Sequence, residues 1–210
     1  SKYINNQTFI KSNEILENRT NGIYNSSSMF YMSNLQDNAY KFREIRDNAV
    51  FLFLHAFVDG PNIKTINRSS SKFIDYYHFS LWVLEFCSQN KIPLYVKPHP
   101  NRSDYISEKY FIESFKMALK KKRNENKNFY YEFVDGNFKS KEIRKFKNPV
   151  VFTGRGSVLI ELAFLGIKSF SFFKSDYLNF KFVNFIQNPE KLSLSDIFFI
   201  DNKEILREKK

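Results

Sequence analysis

The chain changes character near residue 48, from a polar stretch to a regular alternation of apolar and polar segments. Residues 49–55 (AVFLFLH) form an almost continuous apolar run, which is typical of a strand buried on both faces of a parallel sheet. Residues 73–89 instead carry apolar side chains at helical spacing. The pattern therefore predicts a buried strand, a loop at 56–72 and an amphipathic helix.

The same alternation defines the remaining elements. Further strands are predicted at 92–96, 129–134, 150–152 and 168–173, and further helices at 103–122, 141–146 and 157–165. At the two ends the weaker pattern predicts short helices near 10–16 and 38–46, a loop and helix at 176–185 and a short strand at 196–200. Strands separated by helix-length segments indicate an α/β fold, with a Rossmann-like parallel sheet and helices on both faces.

The length of 210 residues suits one α/β domain rather than two. Residues 48–210 are assigned to that domain, and residues 1–47, rich in Asn, Ser and charge, to a linker or the remnant of a preceding domain. Because the chain begins with Ser1 rather than Met, we expect it to belong to a longer protein with a further N-terminal domain.

Composition adds an anionic partner and a free thiol to this picture. The net charge of +11 favours a nucleotide, an anionic glycan, an acidic membrane surface or nucleic acid, without choosing among them. The single cysteine, Cys87, excludes an intrachain disulfide or a cysteine-based zinc site and is expected to be a buried thiol. No apolar run reaches 18 residues and no export signal is visible, so a cytoplasmic location is expected.

Chemically distinctive residues follow three of the predicted strands. The first strand runs into His55 and Asp59, the second into Lys97-Pro98-His99-Pro100, and the fourth into residues 153–157 (TGRGS). Ligands of doubly wound sheets bind at the carboxyl ends of the strands, and two of the three histidines of the chain fall there.

The TGRGS segment is a candidate phosphate site. Gly154 and Gly156 permit a sharp turn, and Arg155 and Ser157 add side-chain donors at the start of a predicted helix. Glu161 follows one helical turn later and could accept hydrogen bonds from a ribose. The alternative interpretation is a capping serine after a tight glycine turn, with a solvated glutamate.

Lys97 and His99 are candidate phosphate ligands because two prolines hold the backbone around the histidine. A turn with an exposed histidine is the alternative. His55 or Asp59 could act as a general base, although an Asp-Gly-Pro sequence is also ordinary turn chemistry. His78 is interpreted as a packed or surface helix residue, and no metal site is predicted because the histidines and carboxylates lack paired spacing.

These motifs, in this order, resemble the C-terminal, donor-binding half of GT-B glycosyltransferases, and most closely capsule polysaccharide biosynthesis proteins. The His-Pro pair is similar to that of Kdo transferases, polysialyltransferases and teichoic-acid glycerophosphotransferases, where the histidine contacts the donor phosphate of a cytidine nucleotide. The resemblance implies that role for His99, phosphate contact for Gly156 and Ser157, and ribose contact for Glu161. Arg155 departs from the small or acidic residue common in such loops, and the acceptor-binding half is not recognised in the sequence.

The expected function is transfer of a sugar or polyol phosphate from a nucleotide-activated donor to an oligosaccharide or lipid-linked glycan, without a metal or other cofactor. A cytidine nucleotide is favoured and a uridine nucleotide is the second choice. The enzyme would work in the cytoplasm or at the inner face of the membrane, in peripheral contact with anionic lipid, and inactivity without the N-terminal half is an alternative. A sugar-nucleotide epimerase of GT-B fold and a basic nucleic-acid-binding module are the competing interpretations, although no nucleic-acid partner is expected.

Overall fold

The structure is a computed structural model that describes residues 6–23, 40–57, 72–99, 106–134, 138–173 and 180–198. The strands are β1 (Val50–Phe53), β2 (Leu94–Lys97), β3 (Tyr131–Phe133), β4 (Val150–Thr153), β5 (Lys168–Ser171) and β6 (Asn184–Phe185). The α-helices are α1 (Asn6–Thr20), α2 (Tyr76–Gln89), α3 (Ile106–Glu125), α4 (Val158–Phe164) and α5 (Leu194–Phe198). Two 3-10 helices span Ser140–Lys145 and Pro189–Lys191.

The six strands form one parallel sheet in the order β3-β2-β1-β4-β5-β6. This is the strand order of a doubly wound Rossmann-like fold, and it confirms the fold class predicted from the sequence. The order reverses between β1 and β4, which are neighbours in the sheet although two strands separate them in the chain. A crevice at this reversal point is where such folds bind ligands.

The sheet is covered on both faces, which explains the continuous apolar run of β1. Val50 and Leu52 point into a core shared with α2 and α3, whereas Phe51 and Phe53 point into a second core shared with the 140–145 helix and α4. All four residues of β1 are buried. Cys87 of α2 lies in the first core as a free thiol, as predicted, and burial raises its pKa.

The described parts of the N-terminal segment pack against this sheet domain. The prediction of a helix near 10–16 is confirmed by α1, but residues 40–46 are not helical, so the helix predicted near 38–46 is wrong there. Tyr40 instead donates a 2.7 Å hydrogen bond to Glu132, a carboxylate that is 1% exposed, and Phe42 packs on Phe146. Long-range packing therefore overrides the local helical pattern. The boundary at residue 47 stays a prediction.

The C-terminal part differs from the sequence-based prediction in two places. The strand predicted at 196–200 is wrong over its described residues, because 196–198 belong to α5. Ser193 and Asp196 form a reciprocal cap there, with the Ser193 amide donating to the carboxylate (2.9 Å) and the Asp196 amide to the serine hydroxyl (3.2 Å). Residues 184–185 form the edge strand β6 in the span predicted as loop and helix. The preceding residues 174–179, like most of the predicted loop at 56–72, lie outside the described part.

Candidate functional site

The ends of β1, β2 and β4 lie side by side at the point where the strand order reverses. Phe53, the last residue of β1, is in register with Lys97 of β2 on one side and with Thr153 of β4 on the other. The residues that follow these three strands therefore share one edge of the sheet. The structure brings together His55, Lys97, His99 and the TGRGS segment, whereas Asp59 lies outside the described residues.

His55 connects the end of β1 to the TGRGS segment. Its Nε2 forms a hydrogen bond with the backbone carbonyl of Arg155, and because a carbonyl only accepts, Nε2 carries the proton. The imidazole ring stacks on Tyr76 at 4.5 Å between centroids and lies 5.9 Å from the ring of His99. In the neutral form of this tautomer, Nδ1 is the unprotonated ring nitrogen.

The two glycines of the TGRGS segment are required for different reasons. A Cβ on Gly154 would lie 2.5 Å from Cε1 of the buried Tyr76 ring, so only glycine allows this close approach. Gly156 has φ of +128°, a backbone conformation that favours glycine. The sharp turn predicted from the sequence is present, but the close neighbour of Gly154 is an aromatic side chain of this chain.

Ser157 and Glu161 are both bound by Arg19 from α1. The Arg19 guanidinium donates from Nη2 to Ser157 Oγ (2.8 Å) and from Nε to Glu161 Oε1 (3.0 Å). The other oxygen of Glu161 accepts from Ser140 Oγ at 3.3 Å, and Glu161 is only 4% exposed. Sequence reasoning missed Arg19, because no local pattern connects residues 142 positions apart.

The capping interpretation of Ser157 does not hold in this structure. Ser157 precedes α4 in a helical conformation and makes no side-chain cap hydrogen bond. Glu161 is buried rather than solvated. Helix α4 has only seven residues, so the argument for an anion site depends on the surrounding side chains rather than on the helix dipole.

Lys97 is a half-buried cation of the site. Burial lowers its pKa to about 8, and the nearby carboxylate of Glu161 opposes that shift by favouring the charged form. Its Nζ lies 5.2 Å from the ring centroid of Phe53. An anionic ligand would favour the charged form of Lys97 in the same way.

The charges near this edge favour an anion. Lys97 and Arg155 are cationic, whereas the charge of Arg19 is paired with the carboxylate of Glu161. Within the described ranges, no group of three or more His, Cys, Asp or Glu side chains could hold a metal ion. His78, in contrast, lies on α2, where its ring contacts Asp75.

None of the helices in the described part of the chain is long and apolar enough to cross a membrane. Comparisons with family models, with curated proteins and with solved structures find no significant match to this chain. Functional interpretation therefore rests on the site itself and on the resemblance of its short motifs.

Proposed function

We propose that the chain is the donor-binding part of a glycosyltransferase-like enzyme that transfers a sugar or polyol phosphate from a nucleotide-activated donor to a glycan acceptor. The observation that carries the proposal is the convergence of His55, Lys97, His99 and Arg155 at the reversal point of the parallel sheet. This is the position where doubly wound folds bind nucleotides. The resemblance of the same segments to capsule polysaccharide biosynthesis proteins supports the choice of donor.

In the proposed reaction an acceptor hydroxyl attacks the activated carbon or phosphorus of the donor, and the bond to the nucleotide phosphate breaks. The hydroxyl proton passes to a base, which would be Asp59 or the Nδ1 atom of His55. The leaving phosphate gains negative charge, and Lys97, His99 and Arg155 would stabilise it electrostatically. Charge stabilisation of this kind is more effective where water is partly excluded, which fits the half-buried position of Lys97.

A thermal-shift panel tests the proposal directly. CMP, CDP, UDP, GDP and ADP would be compared in the presence of EDTA, with each ligand also titrated by calorimetry. At about 100 times its dissociation constant, a ligand of the native state stabilises it by about 2.7 kcal/mol. We expect the cytidine nucleotides to stabilise the protein most. A requirement for magnesium or manganese, or stronger binding of ADP or GDP, would contradict the proposed donor site.

A further inference from the structure

Helix α1 places a side chain of this chain in the middle of the proposed donor site. Arg19 is 21% exposed at its side chain and lies against Ser157 and Glu161, which are two of the residues assigned to the donor. The contact joins the N-terminal segment to α4 across the carboxyl edge of the sheet. Ligand binding and the position of α1 are therefore coupled at these residues.

The contacts of Glu161 indicate that a ligand and Arg19 would compete for its carboxylate rather than bind together. Both carboxylate oxygens are engaged, one by Arg19 and the other by Ser140, and the residue is almost fully buried. Because Glu161 is only 4% exposed and Arg19 lies on its Oε1 atom, a ribose hydroxyl would have to displace Arg19 to reach that oxygen. Arg19 and the ribose would consequently compete for one acceptor.

Several other contacts of α1 lie near the protein surface and could be replaced by contacts with water. Ile10 and Ile15 are 64% and 49% exposed, so much of the apolar surface of α1 is not buried against the domain. Asn21, just after the helix, contacts the exposed side chain of Lys141. Thr20, at the end of α1, is buried, but polar contacts near the surface contribute little stability, so the more exposed part of α1 should open more readily than the core.

We propose that α1 is a gate on the donor site: Arg19 closes it by occupying Ser157 and Glu161, and a ribonucleotide opens it by displacing Arg19. This inference rests on the proposed function, because it assigns the ribose to Glu161. The apparent affinity for a ribonucleotide then equals the intrinsic affinity reduced by the fraction of molecules in which α1 is undocked. Inorganic pyrophosphate, which has no ribose, would compete with Arg19 for Ser157 but not for Glu161.

The test compares Arg19→Gln with Lys11→Gln, which removes the same charge from an exposed position of the same helix. We expect Arg19→Gln to lower the dissociation constant of CMP or CDP by about threefold or more relative to Lys11→Gln. The reason is that α1 is undocked in a larger fraction of the Arg19→Gln molecules. Pyrophosphate should show a smaller gain, because it competes with Arg19 for Ser157 alone. Unchanged or weaker nucleotide binding by Arg19→Gln would contradict the proposed gate but would not contradict the proposed donor site.

Hydrogen exchange on the unmodified protein gives a second measurement that needs no variant. Saturating CDP should speed the exchange of the amides of residues 10–20 while leaving those of β1 and β4 unchanged or slower. Slower exchange in α1 would instead mean that the ligand binds with Arg19 in place, and would reject the gate. If neither CMP nor CDP binds any of the proteins, the proposed function fails as well, which is distinguishable from binding that is insensitive to Arg19.

Discussion

Arg19 Nε lies 3.0 Å from Oε1 of Glu161, so an arginine of the N-terminal helix neutralises a buried carboxylate on the helix that follows β4. A buried carboxylate is costly unless it is paired and hydrogen-bonded. The pair therefore links the N-terminal segment to the stability of the domain as well as to the proposed donor site.

The first prediction concerns this pair and folding. Arg19→Gln should lower the free energy of unfolding by about 1–3 kcal/mol, because it leaves a buried charged acceptor with one fewer donor. Chemical denaturation measures the change, with Lys11→Gln as the control expected to stay close to the unmodified protein. A double-mutant cycle with Glu161→Gln should give a coupling energy of at least about 0.5 kcal/mol. Additive effects would mean that the contact contributes nothing to the fold.

The second prediction compares Gly156, which lies in the TGRGS segment, with Gly166, which lies outside it. Gly156→Ala and Gly166→Ala both force alanine into a positive φ (+128° and +70°), and each should cost about 1–2 kcal/mol of stability. Only Gly156→Ala should also weaken CDP binding, because its Cβ would lie 3.4 Å from His55 Nε2 in the site. Equal losses of affinity in the two variants would indicate a global rather than a local effect.

The third prediction tests His99. Removing its side chain in His99→Ala should weaken CMP and CDP binding by about 1.5–3 kcal/mol, the value of a hydrogen bond to a charged group, with little change in melting temperature. His78→Ala is the matched control, because that imidazole lies on α2 and contacts Asp75. If His99→Ala lowers stability strongly while calorimetry shows unchanged nucleotide affinity, His99 has a structural role.

Most of the fold could be predicted because the chain alternates buried strands and amphipathic helices on a regular scale. The exceptions have physical causes. β6 has only two residues, and its place depends on pairing with Phe170 and Ser171 rather than on its own sequence. Residues 40–46 follow a helical pattern, yet Tyr40 and Phe42 are held in a non-helical segment by contacts with the sheet domain. The Ser193–Asp196 pair, in contrast, is a capping pattern that can be recognised in the sequence and that predicts the start of α5.

The candidate site was predictable to the extent that it follows from strand ends. Parallel strands bring their carboxyl ends to one edge, so His55, Lys97 and His99 could be placed together from the chain order alone. The partner of Glu161 could not, since it depends on how α1 docks. The direction in which the pKa of Lys97 shifts also required the fold, because it is caused by burial.

The last prediction is the pH dependence of binding at Lys97. Burial lowers the pKa of this lysine from 10.5 to about 8, so its charge is present at pH 7 and is lost as the pH rises through 8 in the free protein. The affinity for CDP, whose phosphates are already ionised above pH 7, should fall about three- to tenfold between pH 7 and pH 9. Stability changes in the opposite direction, because between pH 8 and 10.5 the unfolded chain binds the extra proton and the fold gains stability with rising pH.

Lys97→Met should bind CDP more weakly at pH 7, and its affinity should depend less on pH. Lys168→Gln removes a second described lysine, on β5, whose pKa burial lowers to about 8, and should keep the dependence of the unmodified protein. Calorimetric titration from pH 7 to 9.5 checks this, and an unchanged profile in Lys97→Met would exclude Lys97 from the anion site.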